Sequence, residues 1–483
     1  MDNLNKKVVS ATKWAAITQI VAKLVAPITN MVLARLLTPE AFGVVATLTM
    51  IITFAELFTD AGFQKYLVQK DFKDETDREQ STNVAFWSNF ILSLIIWGII
   101  AIFNEPLAAL VGSPGLGIVL IVACFSIPLA AFSSIQMALY QRDLDFKTLF
   151  KVRLIGICVP LIVTIPLAFW LRSYWALVIG TIVQNVINAF FLSYYSKWKP
   201  HFQYSIQKLK EMFSFAAWSL IESVSVWLTG YIDIFVVGTM LNKYYLGLYN
   251  TSITIVGQIM GLIIAATTPV LFSGLSKLQN DDEEFKRVFF KFQKYVSIIL
   301  IPLGFGIFCY KELLTAILLG DQWNEAEEFI GIWGMASAIT IILSHYSSEV
   351  YRSKGQPRLS VIVQWLHLIV LVPVIFIAAN YGFKSLYVFR TLARGELILV
   401  NLIVSYVVFK ISIKRMFTNI TPALIASLFM LLVSQLLRMV DSSMIWEIAS
   451  LCICAVSYLC FICIFAEERN IIKDKVFHKI WKY

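Results

Sequence analysis

Fourteen apolar runs follow one another along this chain, and they decide its fold class before any other feature. They cover residues 14–37, 42–64, 82–103, 116–140, 152–171, 174–195, 213–240, 245–272, 289–309, 328–347, 359–379, 386–409, 420–438 and 444–465. As helix rising about 1.5 Å per residue, a run of about 20 residues matches the ~30 Å hydrocarbon core of a bilayer. Composition agrees: 58% of the 483 residues are hydrophobic and 15% charged, against about 25% charged in a soluble domain. The connections are short, so no soluble domain is expected. The reading is an all-α integral membrane protein with about 14 transmembrane helices.

One stretch of the chain occurs twice. Trp14 to Thr47, moved by 204 positions, lies without a gap on Trp218 to Thr251. Trp14 meets Trp218, Leu24 meets Leu228, Leu37 meets Leu241 and Gly43 meets Gly247. A period of that size is far beyond a solenoid repeat. Six runs separate the copies, an even number, so both copies start from the same side and the repeats are parallel. Weaker echoes continue at a shift of 211, with Tyr140 on Tyr351 and Tyr195 on Tyr406. The expected organisation is an N-lobe (1–200, helices 1–6), a C-lobe (201–415, helices 7–12), helices 13–14 (416–466) and a basic tail (467–483). In that tail Ile471, Ile472, Val476 and Ile480 share one face of a helix suited to the cytoplasmic interface.

The net charge of +9 follows the topology. With an even helix count both termini lie on one side, and the loops of that side hold 31 of the 40 Lys and Arg, against 5 opposite. Cytoplasmic loops hold the cations, so both termini are expected in the cytoplasm, and the basic balance meets anionic lipid rather than nucleic acid. The first run is too long for a cleavable signal peptide and contains Lys23. All seven cysteines fall within or at the ends of apolar spans, and Cys460-x-x-Cys463 reads as small hydrophobes rather than a metal or redox pair. There is no GxxxxGK[ST] phosphate loop and no HExxH pair. Asp143-x-Asp145 sits in a short loop with no domain to bind a nucleotide. Neither a cofactor nor a metal is expected, and the chain is not read as an enzyme.

Ionisable groups inside the runs are the informative residues, because each costs roughly 2.5–3.5 kcal/mol at a helix centre and so faces an interior or a wet cavity. Lys23, Glu56, Glu222, Arg394 and Glu396 lie roughly 12–21 Å in from their helix starts. Asp60, Asp233, Arg35 and Glu349 fall near an interface, where snorkelling or loop pairing serves them. At 100° per residue Gln19, Lys23 and Asn30 share a stripe, as do Glu222, Thr229 and Asp233, and Thr53, Glu56 and Asp60. Polar stripes on the repeated helices suit two lobes facing a wet cleft; the alternative is polar groups joining helices within a lobe. Arg390 and Arg394 stand one turn apart, where like charges repel. Acids from other helices could compensate them, and so could a polyanionic ligand such as a pyrophosphate. The resulting candidates for the substrate cleft are Lys23, Arg390, Arg394, Gln19 and Asn30. Those for coupling to H+ or Na+ are Glu222, Glu56, Glu396, Asp60 and Asp233, since desolvation moves a carboxyl toward neutrality. His345 and His367 read as packing residues.

Several fragments also carry a resemblance. Leu33-Ala-Arg-Leu-Leu-Thr-Pro-Glu-Ala-Phe-Gly43, Asp60-Ala-Gly-Phe-Gln64, Tyr140-Gln-Arg-Asp-Leu-Asp-Phe-Lys147, Leu246-Gly-Leu-Tyr249 and Pro269-Val-Leu-Phe272 resemble bacterial oligosaccharide flippases of the polysaccharide transporter family. That family shares a superfamily with multidrug and toxin extruders and lipid II flippases, and the resemblance covers roughly residues 10–415. It implies a two-lobed fold like that of the multidrug and toxin extruders. It also implies export of undecaprenyl-pyrophosphate-linked repeat units (O-antigen, capsule or exopolysaccharide) across the bacterial inner membrane by alternating access. Lys23 and Arg394 match the cations lining the cavity of related flippases. Tyr231 departs from the family, which often has Asn two residues before the aspartate of the seventh helix. The partners implied are the lipid-linked substrate, membrane lipid and polysaccharide assembly proteins, with the chain itself a monomer. The rival readings are a multidrug extrusion antiporter, whose cleft should be acidic and aromatic, and an integral-membrane polysaccharide polymerase or ligase, which typically offers a large outer loop.

Overall fold

The computed structural model describes residues 2–60, 62–356, 358–441 and 443–470, and within them all side chains except those at 2–9, 11, 12, 16, 20, 60, 213–219, 221 and 222. The side chains of Asp60 and Glu222, and the tail stripe Ile471 to Ile480, therefore lie outside the described residues. Fourteen helices are long and apolar enough to cross a membrane. They are α1 (Asp2–Leu36), α2 (Pro39–Asp60), α3 (Glu75–Ile102), α4 (Gly117–Arg142), α5 (Phe146–Leu171), α6 (Trp175–Tyr195) and α7 (Ile206–Met240). Then follow α8 (Lys243–Lys277), α9 (Asp282–Cys309), α10 (Asp321–Ser353), α11 (Arg358–Ala379), α12 (Phe383–Phe409), α13 (Ile413–Arg438) and α14 (Met444–Ile462). Every apolar run of the sequence is one of these helices. The chain is an all-α, multi-pass membrane protein.

Polar caps start several spans at their wet ends. The side chains of Asp74, Asp145, Ser205, Asp281, Ser412 and Ser443 each accept from a backbone N–H in the first turn of α3, α5, α7, α9, α13 and α14, satisfying donors the helix leaves open. Asp145 is thus a cap, and Asp143 pairs with Arg78 at 2.8 Å. Both carboxylates of the D-x-D have structural partners. Prolines account for two irregularities. α4 breaks at Phe125, where Pro128 withholds the N–H that Cys124 would receive. α5 widens to a π turn over Pro160–Thr164, where Pro160 and Pro166 withhold two more.

The sequence repeat reappears as geometry. α1 and α7 are both 35 residues long, and their ends and the first residues of α2 and α8 coincide under the shift of 204. The copies meet at their glycines. A Cβ on Gly43 would stand 1.9 Å from the Lys243 carbonyl oxygen, and one on Gly247 would stand 1.8 Å from that of Pro39. Since the shift carries Pro39 to Lys243 and Gly43 to Gly247, the contact maps onto itself, as a local two-fold requires. The weaker echoes have the same basis. At the end of α4 the Tyr140 hydroxyl donates to the Leu192 carbonyl of α6 at 3.4 Å. At the end of α10 the Tyr351 hydroxyl donates to Asn401 of α12 at 3.0 Å. Just beyond Tyr140, Arg142 donates to the carbonyls of Leu67 and Lys70 and lies 4.5 Å over Phe72. Just beyond Tyr351, Lys354 donates to the Gln279 carbonyl and lies 4.5 Å over Phe285.

By packing, the chain divides between Asn250 and Thr251. In the first unit α4 packs on α2, α3 and α6, α5 packs on α1 and α6, and α7 packs on α2. In the second, α9 packs on α10 and α13, α12 on α10 and α11, and α13 on α14. Packing thus groups α7 with the first six helices, whereas the lobes expected from the sequence repeat, 1–200 and 201–415, place it with the second half.

Candidate functional site

The first unit encloses a cavity of about 1290 Å³, above the ~300–1,000 Å³ of sites for drug-sized ligands. Its wall repeats at helical spacing. α1 contributes Gln19, Ala22, Ala26 and Asn30, α6 contributes Gln184 and Asn188, and α7 contributes Ser223, Trp227, Gly230 and Tyr231. Thr53 and Glu56 come from α2, Asn89 from α3, Gln141 from α4, and Arg153 and Gly156 from α5. Among the described lining residues carboxamides outnumber charges, which are those of Glu56, Lys65 and Arg153.

Trp227 is fixed from three sides: its Nε1 donates to Thr53 Oγ1 at 3.1 Å, and its ring lies against Phe54 at 4.7 Å and Tyr231 at 5.4 Å. Asn89 is 1% exposed. Its Nδ2 donates to Ser134 Oγ at 2.8 Å, while Oδ1 has no partner among the described residues. An unmet buried acceptor costs about 1–3 kcal/mol, so this atom is a place for water or ligand to bond. On the α5 side of the wall Gly156 packs close to α6, where a Cβ would stand 3.0 Å from Asn188 Oδ1 and 3.8 Å from Gln184 Nε2.

Of the residues expected from sequence, Gln19, Asn30 and Glu56 stand in this wall. Lys23 is one turn along α1 from Gln19 and half-buried, and is not among the lining residues. α7 presents Ser223, Trp227 and Tyr231 rather than the stripe of Thr229 and Asp233. Asp233 is 4% exposed and accepts from the Tyr249 hydroxyl at 2.9 Å. Glu349, also expected near an interface, is 2% exposed and pairs with Arg352 at 3.0 Å.

The second unit holds the arginines. Trp333 and Ser337, one turn apart on α10, face Arg390 and Arg394, one turn apart on α12. The Arg394 guanidinium lies 3.3 Å from the centre of the Trp333 ring and donates to Ser337 Oγ at 2.6 Å. Arg390 lies 5.2 Å from the same ring and is buried. One indole thus lies against two cations, and cation–π attraction offsets part of their repulsion. Glu396, on another face of α12, is bonded to His367 Nδ1 of α11 at 2.8 Å. His367 is therefore a polar partner and not only a packing residue. Sequence reasoning missed Trp333 and the carboxamides Asn89, Gln184 and Asn188. The i, i+4 spacing of Trp333 with Ser337 and of Gln184 with Asn188 was visible, but their partners belong to other helices.

The fold defines a class first. The chain superposes on the structure titled lipid II flippase MurJ, inward closed conformation, with a TM-score of 0.72 at 16% identity, covering 94% of this chain and 99% of that one. It superposes on an inward-facing multidrug resistance MATE family transporter of the MOP superfamily with a TM-score of 0.58 at 14% identity, covering 84% and 98%. The sequence then gives the family. Residues 32–328 match the family described as polysaccharide biosynthesis protein, and the chain belongs to it. Relatives include the succinoglycan biosynthesis transport protein ExoT of Rhizobium meliloti (strain 1021), 23% identical over 70% of this chain and 67% of that protein. Another is the teichuronic acid biosynthesis protein TuaB of Bacillus subtilis (strain 168), 21% identical over 74% of each.

Proposed function

We propose that this protein is a flippase that carries undecaprenyl-pyrophosphate-linked oligosaccharide repeat units across the bacterial inner membrane by alternating access of its two repeat-related lobes. The observation that carries the reading is a large cavity, with carboxamides and hydroxyls among its apolar lining, inside the membrane-spanning helices of a polysaccharide biosynthesis family member. The sugar and pyrophosphate travel through polar space while the polyprenyl tail stays in lipid. Both termini are cytoplasmic, the chain acts as a monomer beside polysaccharide assembly proteins, and it transports without catalysing a reaction. Lys23, Gln19 and Asn30 in the first unit and Arg390 and Arg394 in the second receive the cargo. Guanidinium groups suit the oxygens of a phosphate, to which they can offer two parallel N–H donors.

Among the acids, Glu56 stands in the cavity wall and Glu396 holds a histidine. These two lead Asp233, which is engaged by Tyr249, as carriers of H+ or Na+, and Asp60 and Glu222 stay candidates from the sequence. The fold is shared with multidrug extruders, so it does not separate the readings. The family and the paired arginines favour an anionic cargo over the organic cations of an extruder.

The test is genetic. Deleting the protein should accumulate lipid-linked repeat units on the cytoplasmic leaflet, and Lys23→Ala with Arg394→Ala should do the same at normal protein level. Undiminished polymer export in the double variant would remove those residues from the path. Export unchanged in the deletion would remove the function itself.

A further inference from the structure

The cavity wall has a chemical bias that the cationic reading does not use. We propose that Asn89, Gln184 and Asn188 form the surface that reads the saccharide of the cargo, by hydrogen bonds to its hydroxyl groups; this rests on the flippase reading above. A sugar hydroxyl both donates and accepts, and a carboxamide offers two donors and an acceptor oxygen, so the two match without net charge at mid-membrane depth, where charge is expensive. Asn89 Oδ1 is buried without a partner among the described residues. None of the hydrogen bonds found among the described residues uses the side chains of Gln184 or Asn188. Both reach toward Gly156, so closely that a Cβ at that position would press on Asn188 Oδ1.

These three residues come from α3 and α6, and Gly156 on α5 and Trp227 on α7 line the same cavity. The immobilised indole adds an apolar face for sugar C–H groups.

The probe is the oligosaccharide released by mild acid from the lipid-linked pool of the deletion strain, titrated calorimetrically into the full-length protein in nanodiscs. Wild type should bind it saturably. Gln184→Leu combined with Asn188→Leu should weaken binding by at least about tenfold, the scale on which unpaired polar contacts discriminate ligands. Gly156→Ala, which removes no hydrogen bond and pushes a methyl against Asn188, should weaken it in the same direction and keeps the test valid if the double variant fails to fold. Binding of inorganic pyrophosphate should be unchanged in both.

Unchanged oligosaccharide affinity in folded variants overturns the assignment, as does an equal loss for pyrophosphate. If the deletion strain accumulates the pool but the released saccharide does not bind wild type, the wall assignment fails and the flippase reading stands. If no pool accumulates, the flippase reading fails and this inference goes with it.

Discussion

Single residues divide here into those a helix can carry alone and those that need a neighbour. Arg390 and Arg394 would repel across one turn of an isolated helix; Trp333 makes the pair tolerable inside the second unit. Outside the spans, Lys70 pairs with Glu211 at 3.1 Å, joining the loop after α2 to the start of α7. Burial alone would lower the Lys70 ammonium, but hydrogen bonds to the Tyr66 hydroxyl and to Glu211 outweigh it and raise its pKa. The bond from Lys70 holds the Glu211 carboxyl below the ordinary range. A lowered carboxylate stabilises the fold above its unfolded value of about 4 and loses that contribution as pH falls through its folded value. The raised amine contributes below about 10 and loses it on further alkalinisation. Thermal unfolding of Lys70→Met, Glu211→Gln and the double variant should therefore show coupling between the two sites at pH 6 to 8 that fades on strong acidification. Coupling that persists at the acid end would contradict the pairing.

At the scale of elements, the starts of α2 and α8 are held together by an absence of side chain. Gly43 and Gly247 each stand within 2 Å, measured from a Cβ they lack, of the other copy's backbone oxygen. Backbone cannot rotate away as a side chain does, so Gly43→Ala must separate the two helix starts, at the order of 1–3 kcal/mol typical of overpacking. Cysteines at Glu40 and Tyr244, which the repeat makes equivalent, report the separation by spin-label distances. Gly43→Ala should lengthen that distance, and the same distance in the variant would show that the contact does not hold the helices. Under the alternating access proposed above, a mutation that separates these helix starts should also lower the export rate.

For the whole molecule, the testable statement is topology. The positive-inside bias predicts the loop around Asp143 in the cytoplasm and the loop around Arg172 outside. Alkaline phosphatase fused after Arg172 should be active and fused after Asp143 inactive; the reverse pattern would invert the molecule and with it the direction of transport. The spans, their number and the two-fold kinship of α1–α2 with α7–α8 were legible in the chain alone. Hydropathy over about 20 residues and a gapless repeat are local or periodic signals, and bilayer thickness sets the ruler for the first. Gln19, Asn30 and Glu56 could be read as cavity residues because each lies on a polar stripe of its own helix. Tertiary structure alone decided what faces those stripes. It brought Asn89 of α3 and Asn188 of α6 to one cavity, turned Asp233 to Tyr249, joined His367 to Glu396 and laid two arginines on one tryptophan. Such pairings depend on how helices far apart in sequence rotate and pack, and no periodicity within a single helix encodes the rotation of its neighbour.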